Sequence, residues 1–338
     1  MKIALIYDAV TPSGEGTWVE AEYESPETIE ALLGAIGAHC DEVVPVPFGS
    51  DLVRSLRRCR PDMAFNIAEG REGPARESVV PAVLELLDIP YTGSDGVALG
   101  VSLNKALTKT LAQHAGIPTP PFRLVASAEQ AARAADEIEY PVLVKPNFGG
   151  SSVGIGPESI VSAPAELAPA AERCLTRFEQ PCLVEGYVRG VDVTVGLLGN
   201  GPIEALPVGE VAARGGMYSE LAKNMHDREI ICPCGLTAAL ERQLTDWSVG
   251  LFGLIGARDF ARVDYMLGAD GRAWLLEINP LPGLSPYYGV FPELARAAGY
   301  GHTRLIGRII ELARERNIDD TTAGNRLAGA ATRRCAHR

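Results

Sequence analysis

The chain has 338 residues, 46% of them hydrophobic, and a formal net charge of −12 at neutral pH. That length is enough for a sizeable core and for two or three domains. An acidic chain without a basic face is not expected to bind nucleic acid. Since no apolar run reaches the roughly 18 residues that a membrane helix needs, no membrane association is expected either.

The first ten residues, "MKIALIYDAV", predict a short strand and lack the long apolar stretch of a secretory signal. The seven cysteines are scattered, which is typical of reduced thiols in a cytoplasm. Cys232 and Cys234 have no second pair nearby, so a tetrahedral zinc site is not expected.

The N-terminal third alternates between strand and helix patterns. Strands are predicted over 1–8, 41–48 and 62–70, with helices over 25–40 and 78–90. This alternation favours a parallel, doubly wound lobe. The turn-rich "YTGSDG" that follows is a natural boundary.

Two lysine-bearing segments come next. "SLNKALTKTLAQHAGIPTPP" predicts a helix with Ser102 as its N-cap, and it carries Lys105 and Lys109 one turn apart. A solvated helix face would explain these lysines as well as a site would. Lys145 ends the buried strand "VLV" and is followed by "NFGGSSVGIG". Such a loop can wrap phosphates with its N–H groups, although it is not a Walker A loop and an ordinary turn is the alternative.

The C-terminal part contains a polar segment, a hairpin and a tail. Residues 209–231 have few large apolar side chains and predict a mobile loop, and the chain beyond about 320 has little to bury and predicts a frayed tail. "FARVDYMLGADGRAWLLEINP" predicts a hairpin whose turn lies at "GADG".

The alternation of side chains along this hairpin predicts a polar face and a core face. With this turn, Arg262 is expected opposite Glu277 and Asp264 opposite Leu275, with Asn279 on the same polar face. The core face is expected to carry the side chains of Ala261, Val263, Tyr265, Leu267, Trp274, Leu276 and Ile278. The polar face is either the wet side of an amphipathic hairpin or a site for a hard cation such as Mg²⁺.

Several motifs, in this order, resemble the D-alanine–D-alanine ligase branch of the ATP-grasp superfamily. They are "SLNKALTK", "PVLVKP", "GGSSVGI", "LVEGYVRGVDVTV", "ARVDYML" and "LLEINPLPG". The match covers most of residues 1–315 and is strongest over 85–285. It implies an α/β (α+β) ATP-grasp fold of three lobes, with ATP bound between the central and C-terminal lobes. The expected divisions are an N-terminal lobe over 1–95, a central lobe over 96–187, a C-terminal lobe over 188–320 with a lid at 209–231, and a flexible tail over 321–338.

The resemblance also implies roles for individual residues. The expected ATP contacts are Lys105 and Lys145 on the phosphates, Ser151, Ser152 and Gly154 in the loop over them, Glu185, Tyr187 and Val188 at the adenine, Asp192 at the ribose, and Lys223 from the lid. Asp264, Glu277 and Asn279 match magnesium ligands. Arg262 matches the arginine that steadies the transferred phosphate, and Ser151 and Ser152 join it as catalytic groups. Asp192 stands where the family usually has a glutamate.

The implied chemistry is ligation in two steps. A substrate carboxylate attacks the γ-phosphate of ATP to give an acyl phosphate, and an amine then displaces phosphate to form an amide. ATP and two Mg²⁺ ions, replaceable by Mn²⁺, are the implied cofactors, and a homodimer acting on small amino-acid-like molecules is the implied form. Positioning and charge neutralisation supply such catalysis, which agrees with the lack of a nucleophilic Ser or Cys arrangement in the sequence.

The substrate-binding half departs from the family's pattern. The glutamate for the first amino acid's ammonium is Glu20, Glu22 or Glu24, and "NIAEGREGPARES" replaces the usual H-G-x-x-G-E-D-G loop. The serine pair for the second substrate's carboxylate is missing, and the lid tyrosine is replaced by Asn224. Candidate substrate residues are Glu69, Arg71, Arg76, Glu77, Gly283, Ser285 and Tyr288. For the loop residues among them, a solvated surface is the alternative.

We therefore expect an ATP-dependent carboxylate–amine ligase acting on a substrate other than D-alanine, either between two molecules or by ring closure. A genuine D-alanine–D-alanine ligase of cell-wall synthesis is the first alternative. The others are a nucleotide-binding module without activity, and a biotin-dependent carboxylase or phosphoryl-transfer enzyme of the same fold. The sequence names neither substrate nor its stereochemistry.

Overall fold

A computed structural model describes residues 1–9, 18–213 and 228–335, without the side chains of residue 213 and of residues 319–335. Three sheets follow one another along the described chain. Their strand orders are β2-β1-β3, β4-β7-β5-β6 and β11-β10-β8-β12-β13, with β9 paired to β8. The domain boundaries expected from the sequence stay a prediction.

The N-terminal sheet is parallel throughout, as the strand and helix alternation predicts. Its elements are β1 Lys2–Tyr7, α1 Pro26–Gly37, β2 Glu42–Pro47, α2 Leu52–Cys59, β3 Met63–Asn66 and α3 Val79–Leu86. The centre of the sheet is fully buried at Ile3 and Leu5. Because parallel strands end at the same edge, Asp8 and the loop after β3 lie together there, where Asp8 accepts the N–H of Glu69 at 2.6 Å.

The central lobe starts with two consecutive helices and continues as an antiparallel sheet. Its elements are α4 Gly96–Leu103, α5 Lys105–His114, β4 Phe122–Val125, α6 Ala128–Ala134, β5 Val142–Pro146, β6 Ile160–Val161, α7 Pro164–Phe178 and β7 Cys182–Gly186. The prediction of Ser102 as the N-cap was wrong. Ser102 lies inside α4, and Asn104 caps α5 by accepting the N–H of Leu107 at 3.1 Å.

The C-terminal sheet is antiparallel. Its elements are β8 Gly190–Leu198, β9 Glu204–Ala205, β10 Gly209–Ala213, β11 Arg228–Ile231, α8 Ala238–Ile255, β12 Phe260–Gly268, β13 Ala273–Asn279, α9 Val290–Ala297 and α10 His302–Cys335. Both ends of the segment expected to be a loop, 209–231, are therefore strands. These two strands, β10 and β11, pair with each other, and β10 also pairs with β8, so together they extend the edge of the sheet.

The β12–β13 hairpin exists, but its predicted register was wrong. Leu267 pairs with Ala273, so the turn is one residue longer than predicted, and a bulge at Leu276 adds another residue. Asp264 therefore lies opposite Glu277, and Arg262 opposite Asn279. Leu275, not Leu276, belongs to the buried core. The same shift moves Trp274 out of the predicted core face, and both Trp274 and Leu276 are only partly buried.

The last helix packs against the N-terminal lobe. Leu305, Ile306 and Ile309 of α10 are fully buried in the core that also contains Ile3 and Leu32 of the N-terminal lobe. The helix continues to Cys335, so most of the predicted tail, 321–338, is helical. Its alanines and arginines favour a helix, and mobility of this segment stays a prediction. No helix in the described part of the chain is long and apolar enough to cross a membrane.

Candidate active site

A cavity of about 710 Å³ lies between the central and C-terminal sheets and is closed on one side by the N-terminal lobe. The N-terminal lobe contributes Glu22, Glu24 and Glu69 to it. The sequence-predicted residues that line the cavity are Lys105, Lys145, Ser151, Ser152, Glu185, Tyr187, Val188, Asp192, Arg262, Asp264, Glu277 and Asn279. One cavity thus collects side chains from segments that are far apart in the sequence.

Lys105 links the start of α5 to the β12–β13 hairpin. Its Nζ forms an ion pair with Glu277, and the Lys105 side chain is only 8% exposed. Burial alone would raise the pKa of Glu277, but Lys105 and the neighbouring cations lower it to about 2. Glu277 is therefore ionised at neutral pH. The interpretation of Lys105 as part of a solvated helix face was wrong.

Lys145 and Lys109 share one buried carboxylate. Glu185 lies 2.6 Å from the Nζ of Lys145 and 2.9 Å from the Nζ of Lys109. Burial opposes ionisation of Glu185, but the two ammonium groups outweigh it and lower the pKa to about 2. Lys109, which is fully buried, also donates to Thr119 at 2.8 Å. The interpretation of Lys109 as part of a solvated helix face was therefore also wrong. This lysine lies behind the wall of the cavity and stabilises it through Glu185 and Thr119.

Three neighbouring strands form the acidic wall of the cavity. Arg262 and Asp264 form an ion pair at 2.8 Å, and Thr194 of β8 donates to Asp264 at 2.6 Å. Glu277 lies directly across from Asp264 and Asn279 directly across from Arg262. Two carboxylates and an amide oxygen on adjacent strands are the donor set that Mg²⁺ prefers, so these residues fit the ion. Thr194 was not predicted from the sequence, although it lies two residues after Asp192 and therefore on the same strand face.

The glycine-rich loop has an unusual backbone. Ser151, Ser152 and Gly154 have φ of 58°, 57° and 76°, the left-handed region. Successive residues of this kind turn N–H groups toward one side, which is suited to anions. The N–H of Gly150 donates to Glu22 at 2.8 Å, so the loop is tied to the N-terminal lobe.

Tyr187, Val188 and Asp192 line the end of the cavity where β7 leads into β8. Burial, aided by the nearby Asp264, raises the pKa of Asp192 to about 7. Met266 and Leu276 complete this end with apolar surface, which suits a flat aromatic group. The bulge in β13 is what turns Leu276 toward the cavity.

The candidate substrate residues do not all lie in the cavity. Glu69, Gly283 and Tyr288 line it. Arg76 and Glu77 are buried directly behind, with Arg76 paired to Glu22, so the solvated-loop alternative was wrong for these two. Ser285 is also buried, where it accepts a hydrogen bond from Thr28 at 2.9 Å. Arg71 is exposed, and the predicted lid residues Lys223 and Asn224 lie outside the described residues.

Glu24 was one of three open candidates, and the structure gives it defined partners. It accepts hydrogen bonds from the Tyr288 hydroxyl at 2.8 Å and the Leu284 N–H at 3.1 Å. Its carboxylate therefore fixes the loop after β13. Glu22, in contrast, contacts both Arg76 and the glycine-rich loop.

Comparison with known proteins places this geometry in a family. The family model "D-ala D-ala ligase C-terminus" matches residues 111–311, more than half of the chain. A D-alanine–D-alanine ligase of Pelotomaculum thermopropionicum is 34% identical over 302 residues, which is 86% of this chain and 92% of that protein. The corresponding ligase of Geobacter sulfurreducens is 35% identical over 87% of this chain and 90% of its own length.

Two further comparisons give another relative and a solved structure of similar fold. An uncharacterised protein of Sinorhizobium fredii, y4sG, is 35% identical over 78% of this chain and 77% of its own length. The crystal structure of D-alanine–D-alanine ligase from Bacillus anthracis complexed with ATP superposes with a TM-score of 0.76 at 23% identity, covering 95% of this chain and 99% of that one. At this identity the likeness concerns the fold, which is the ATP-grasp fold.

Proposed function

The chain belongs to the D-alanine–D-alanine ligase family and is an ATP-dependent, amide-forming ligase, and we propose that its substrate is an amino-acid-like molecule other than D-alanine. The observation that supports a ligase most directly is the convergence in one cavity of two lysines, an arginine and three oxygen ligands. A protein that only bound nucleotide would have little use for the full set.

We assign the residues to roles by chemistry. Lys105 and Lys145 neutralise phosphate charge, and the N–H groups of the loop over 149–154 enclose the phosphates. Lys223 belongs to the same proposal as a lid residue. Asp264, Glu277 and Asn279 would hold Mg²⁺, which supplies charge neutralisation at the phosphates when bound. Arg262 stands next to this set, where it can stabilise charge that develops on the transferred group.

The proposed reaction has two steps on these groups. The substrate carboxylate oxygen attacks the γ-phosphorus of ATP and ADP leaves, which gives an acyl phosphate. The amine nitrogen then attacks the acyl carbon, phosphate leaves, and the amine loses a proton. Because both steps spread negative charge, fixed cations and N–H donors at Arg262 and the loop supply most of the catalysis.

The proposal of a different substrate is supported at the N-terminal wall and after β13. The loop over 66–78 replaces the family's usual motif and places Arg76 and Glu77 in the interior. Where the family has a serine pair, Ser285 is buried against Thr28, and Tyr288 is bonded to Glu24. Activity as a D-alanine–D-alanine ligase is the second candidate, since most of the relatives compared carry that name.

We also propose a homodimer in the cytoplasm. The cysteines among the described residues are free thiols, which supports a reducing compartment. The dimer is an expectation from the family and is checked by light scattering after size exclusion.

The decisive experiment measures phosphate release and product mass with ATP, Mg²⁺ and a panel of D- and L-amino acids, singly and in pairs. The matched variants are Glu277→Ala and the exposed Glu129→Ala. We expect turnover on a substrate other than D-alanine, and a loss of about a hundredfold or more in kcat for Glu277→Ala only. A D-alanyl-D-alanine product would favour the second candidate. Full activity in Glu277→Ala would overturn the assigned metal site, and ATP binding without any turnover would favour a binding module.

A further inference from the structure

The N-terminal wall of the cavity holds a group of acidic side chains around one guanidinium. We call Glu22, Glu69, Glu77 and Arg76 the acid–arginine cluster. The carboxylate oxygens of its three glutamates lie within 4.8 Å of one another. Arg76 forms an ion pair with Glu22 and lies 3.6 Å from Glu77. Glu22 and Glu69 line the cavity, so the cluster faces the space where substrates bind.

The cluster has more carboxyl groups than cations. Three carboxylates face one guanidinium, and the side chains of Glu22 and Glu77 are only 3% and 9% exposed. Burial and the neighbouring glutamates raise the pKa of Glu69 well above its usual value. Burial likewise raises the pKa of Glu77, to about 8, although Arg76 counteracts it. Both shifts favour the protonated forms of Glu69 and Glu77 while the cluster is empty, and a cation arriving from the cavity would favour their ionisation as counter-charges.

The hydrogen bonds of Arg76 are also incomplete. Arg76 is 2% exposed, and among the described residues neither its Nε nor its Nη1 has a hydrogen-bond acceptor. The guanidinium stacks 5.7 Å from the ring of Trp18, and its Nη2 contacts Glu22, so it is held inside the cluster. A buried donor without an acceptor is costly, because it has lost its hydrogen bonds to water. The cluster therefore contains both more carboxyl groups than cations and, among the described residues, buried donors without acceptors.

The position of the cluster relates it to the reaction centre. Lys105 and Glu277 both act electrostatically on Glu77, so the cluster lies beside the phosphate-binding end of the cavity. Glu22 also accepts the N–H of Gly150 in the glycine-rich loop at 2.8 Å. A molecule whose cationic part lies at Glu22 and Glu69 can thus extend its carboxylate toward Arg262, which lines the same cavity.

An organic cation suits the cluster better than a metal ion. Mg²⁺ requires near-octahedral oxygen coordination at short distances, whereas Glu22 is already paired with Arg76, which also lies 3.6 Å from Glu77. Ammonium and guanidinium groups accept longer, less regular contacts with carboxylates.

We propose that the acid–arginine cluster binds the cationic part of the substrate and selects a basic amino acid, with two positively charged groups, as the molecule whose carboxylate is activated. On binding, Glu69 and Glu77 release their protons to solvent, and each becomes the counter-charge of one of the two basic groups. This inference rests on the ligase function proposed above, because it names the substrate class of that same site.

The test uses pairs of amino acids that differ in charge at similar shape. Arginine is compared with citrulline and lysine with norleucine, each as both enantiomers, in calorimetric titrations of the full chain with ADP and Mg²⁺ and in phosphate-release assays with ATP. We expect the cationic member to be preferred by about tenfold to a hundredfold, the range of a charge-assisted hydrogen bond of roughly 1.5–3 kcal/mol. Glu69→Gln should reduce that preference at least about tenfold. Glu72→Gln, exposed in the same loop, should leave it unchanged.

The outcomes separate this inference from the ligase function. Equal binding of the charged and neutral members, or a preference that Glu69→Gln leaves intact, would overturn the cluster's role while turnover still supported a ligase. Binding that discriminates by charge without phosphate release from any amino acid would support the cluster and contradict the ligase. Mn²⁺ binding in the absence of nucleotide that Glu69→Gln abolishes would reassign the cluster to a metal. Glu77→Gln repeats the test if Glu69→Gln does not fold.

Discussion

Glu185 both stabilises the fold and lines the cavity of the candidate active site. It is buried on β7 between the ammonium groups of Lys109 and Lys145, at 2.9 Å and 2.6 Å. Removing one partner of a buried ion pair leaves an uncompensated charge, at a cost of roughly 3–5 kcal/mol. Its expected contact with adenine stays a prediction, whereas its role as counter-ion follows from the distances.

The pH dependence of stability tests that role. The pKa of Glu185 is lowered to about 2 in the folded chain, against about 4.5 when unfolded. A lowered carboxyl pKa stabilises the fold above pH 4.5 and loses that contribution as the pH falls toward 2. We therefore expect Glu185→Gln to lower the free energy of unfolding at pH 7 by roughly 3–5 kcal/mol, and the difference from the unchanged chain to shrink below pH 4.5.

Urea unfolding without nucleotide at pH 7, 4 and 3 measures this difference. Glu129→Gln serves as the control because Glu129 pairs with Arg133 on the surface, where both side chains are 74% exposed and such pairs contribute little. A Glu185→Gln difference that stays constant across the three pH values would contradict the assigned pKa.

At the scale of elements, the glycine-rich loop depends on one position with no room for a side chain. Gly154 has φ of +76°, and a Cβ there would lie 2.8 Å from the Phe178 ring and 3.0 Å from Pro146. Gly154→Ala should therefore displace the loop and weaken ATP binding by about tenfold or more, since overpacking of this kind costs roughly 1–3 kcal/mol. Fluorescence titration with a nucleotide analogue measures the change.

Gly116→Ala separates the clash from the backbone conformation. Gly116 has φ of +75°, but a Cβ at that position would meet nothing within 4 Å. This variant should lose about 1–2 kcal/mol of stability from the left-handed conformation alone and bind ATP as before. Equal ATP affinity in the two alanine variants would mean that the position of the loop does not depend on Gly154.

Among the elements, the sequence best predicted those that a short stretch of residues determines. The parallel N-terminal strands, α5 and the β12–β13 hairpin follow from periodicity and turn residues, and the residues named on the hairpin do share one face. The predicted register was wrong because the alternation of apolar and polar residues reveals neither the longer turn nor the bulge at Leu276. The burial of Lys109 was missed for a related reason, since it depends on Glu185, which is 76 positions away along the chain.

At the scale of the whole molecule, Asp259 connects parts of the chain that no local pattern relates. Its carboxylate is fully buried and accepts hydrogen bonds from the Gly93 N–H at 2.7 Å, the Asn200 amide at 2.9 Å and Arg316 at 3.0 Å. These three partners lie in the turn before α4, in the loop after β8 and on α10. The site lies between lobes that such contacts hold in place, because Asp259 immediately precedes β12, the strand that carries Arg262.

Asp259→Ala should therefore destabilise the whole chain and not only a loop. It leaves Arg316 buried, at 11% exposure, without its carboxylate, which predicts a loss of roughly 3–5 kcal/mol in the free energy of unfolding. Asp259→Asn, which keeps hydrogen-bonding capacity and tolerates the left-handed φ of 63°, should lose less. The exposed Asp136→Ala should lose about 0.5 kcal/mol or less.

Hydrogen exchange in the Asp259→Ala chain then locates the effect. Faster exchange in α10 and β12 together would mean that Asp259 couples the lobes, whereas faster exchange in the loop after β8 alone would mean that it acts only locally.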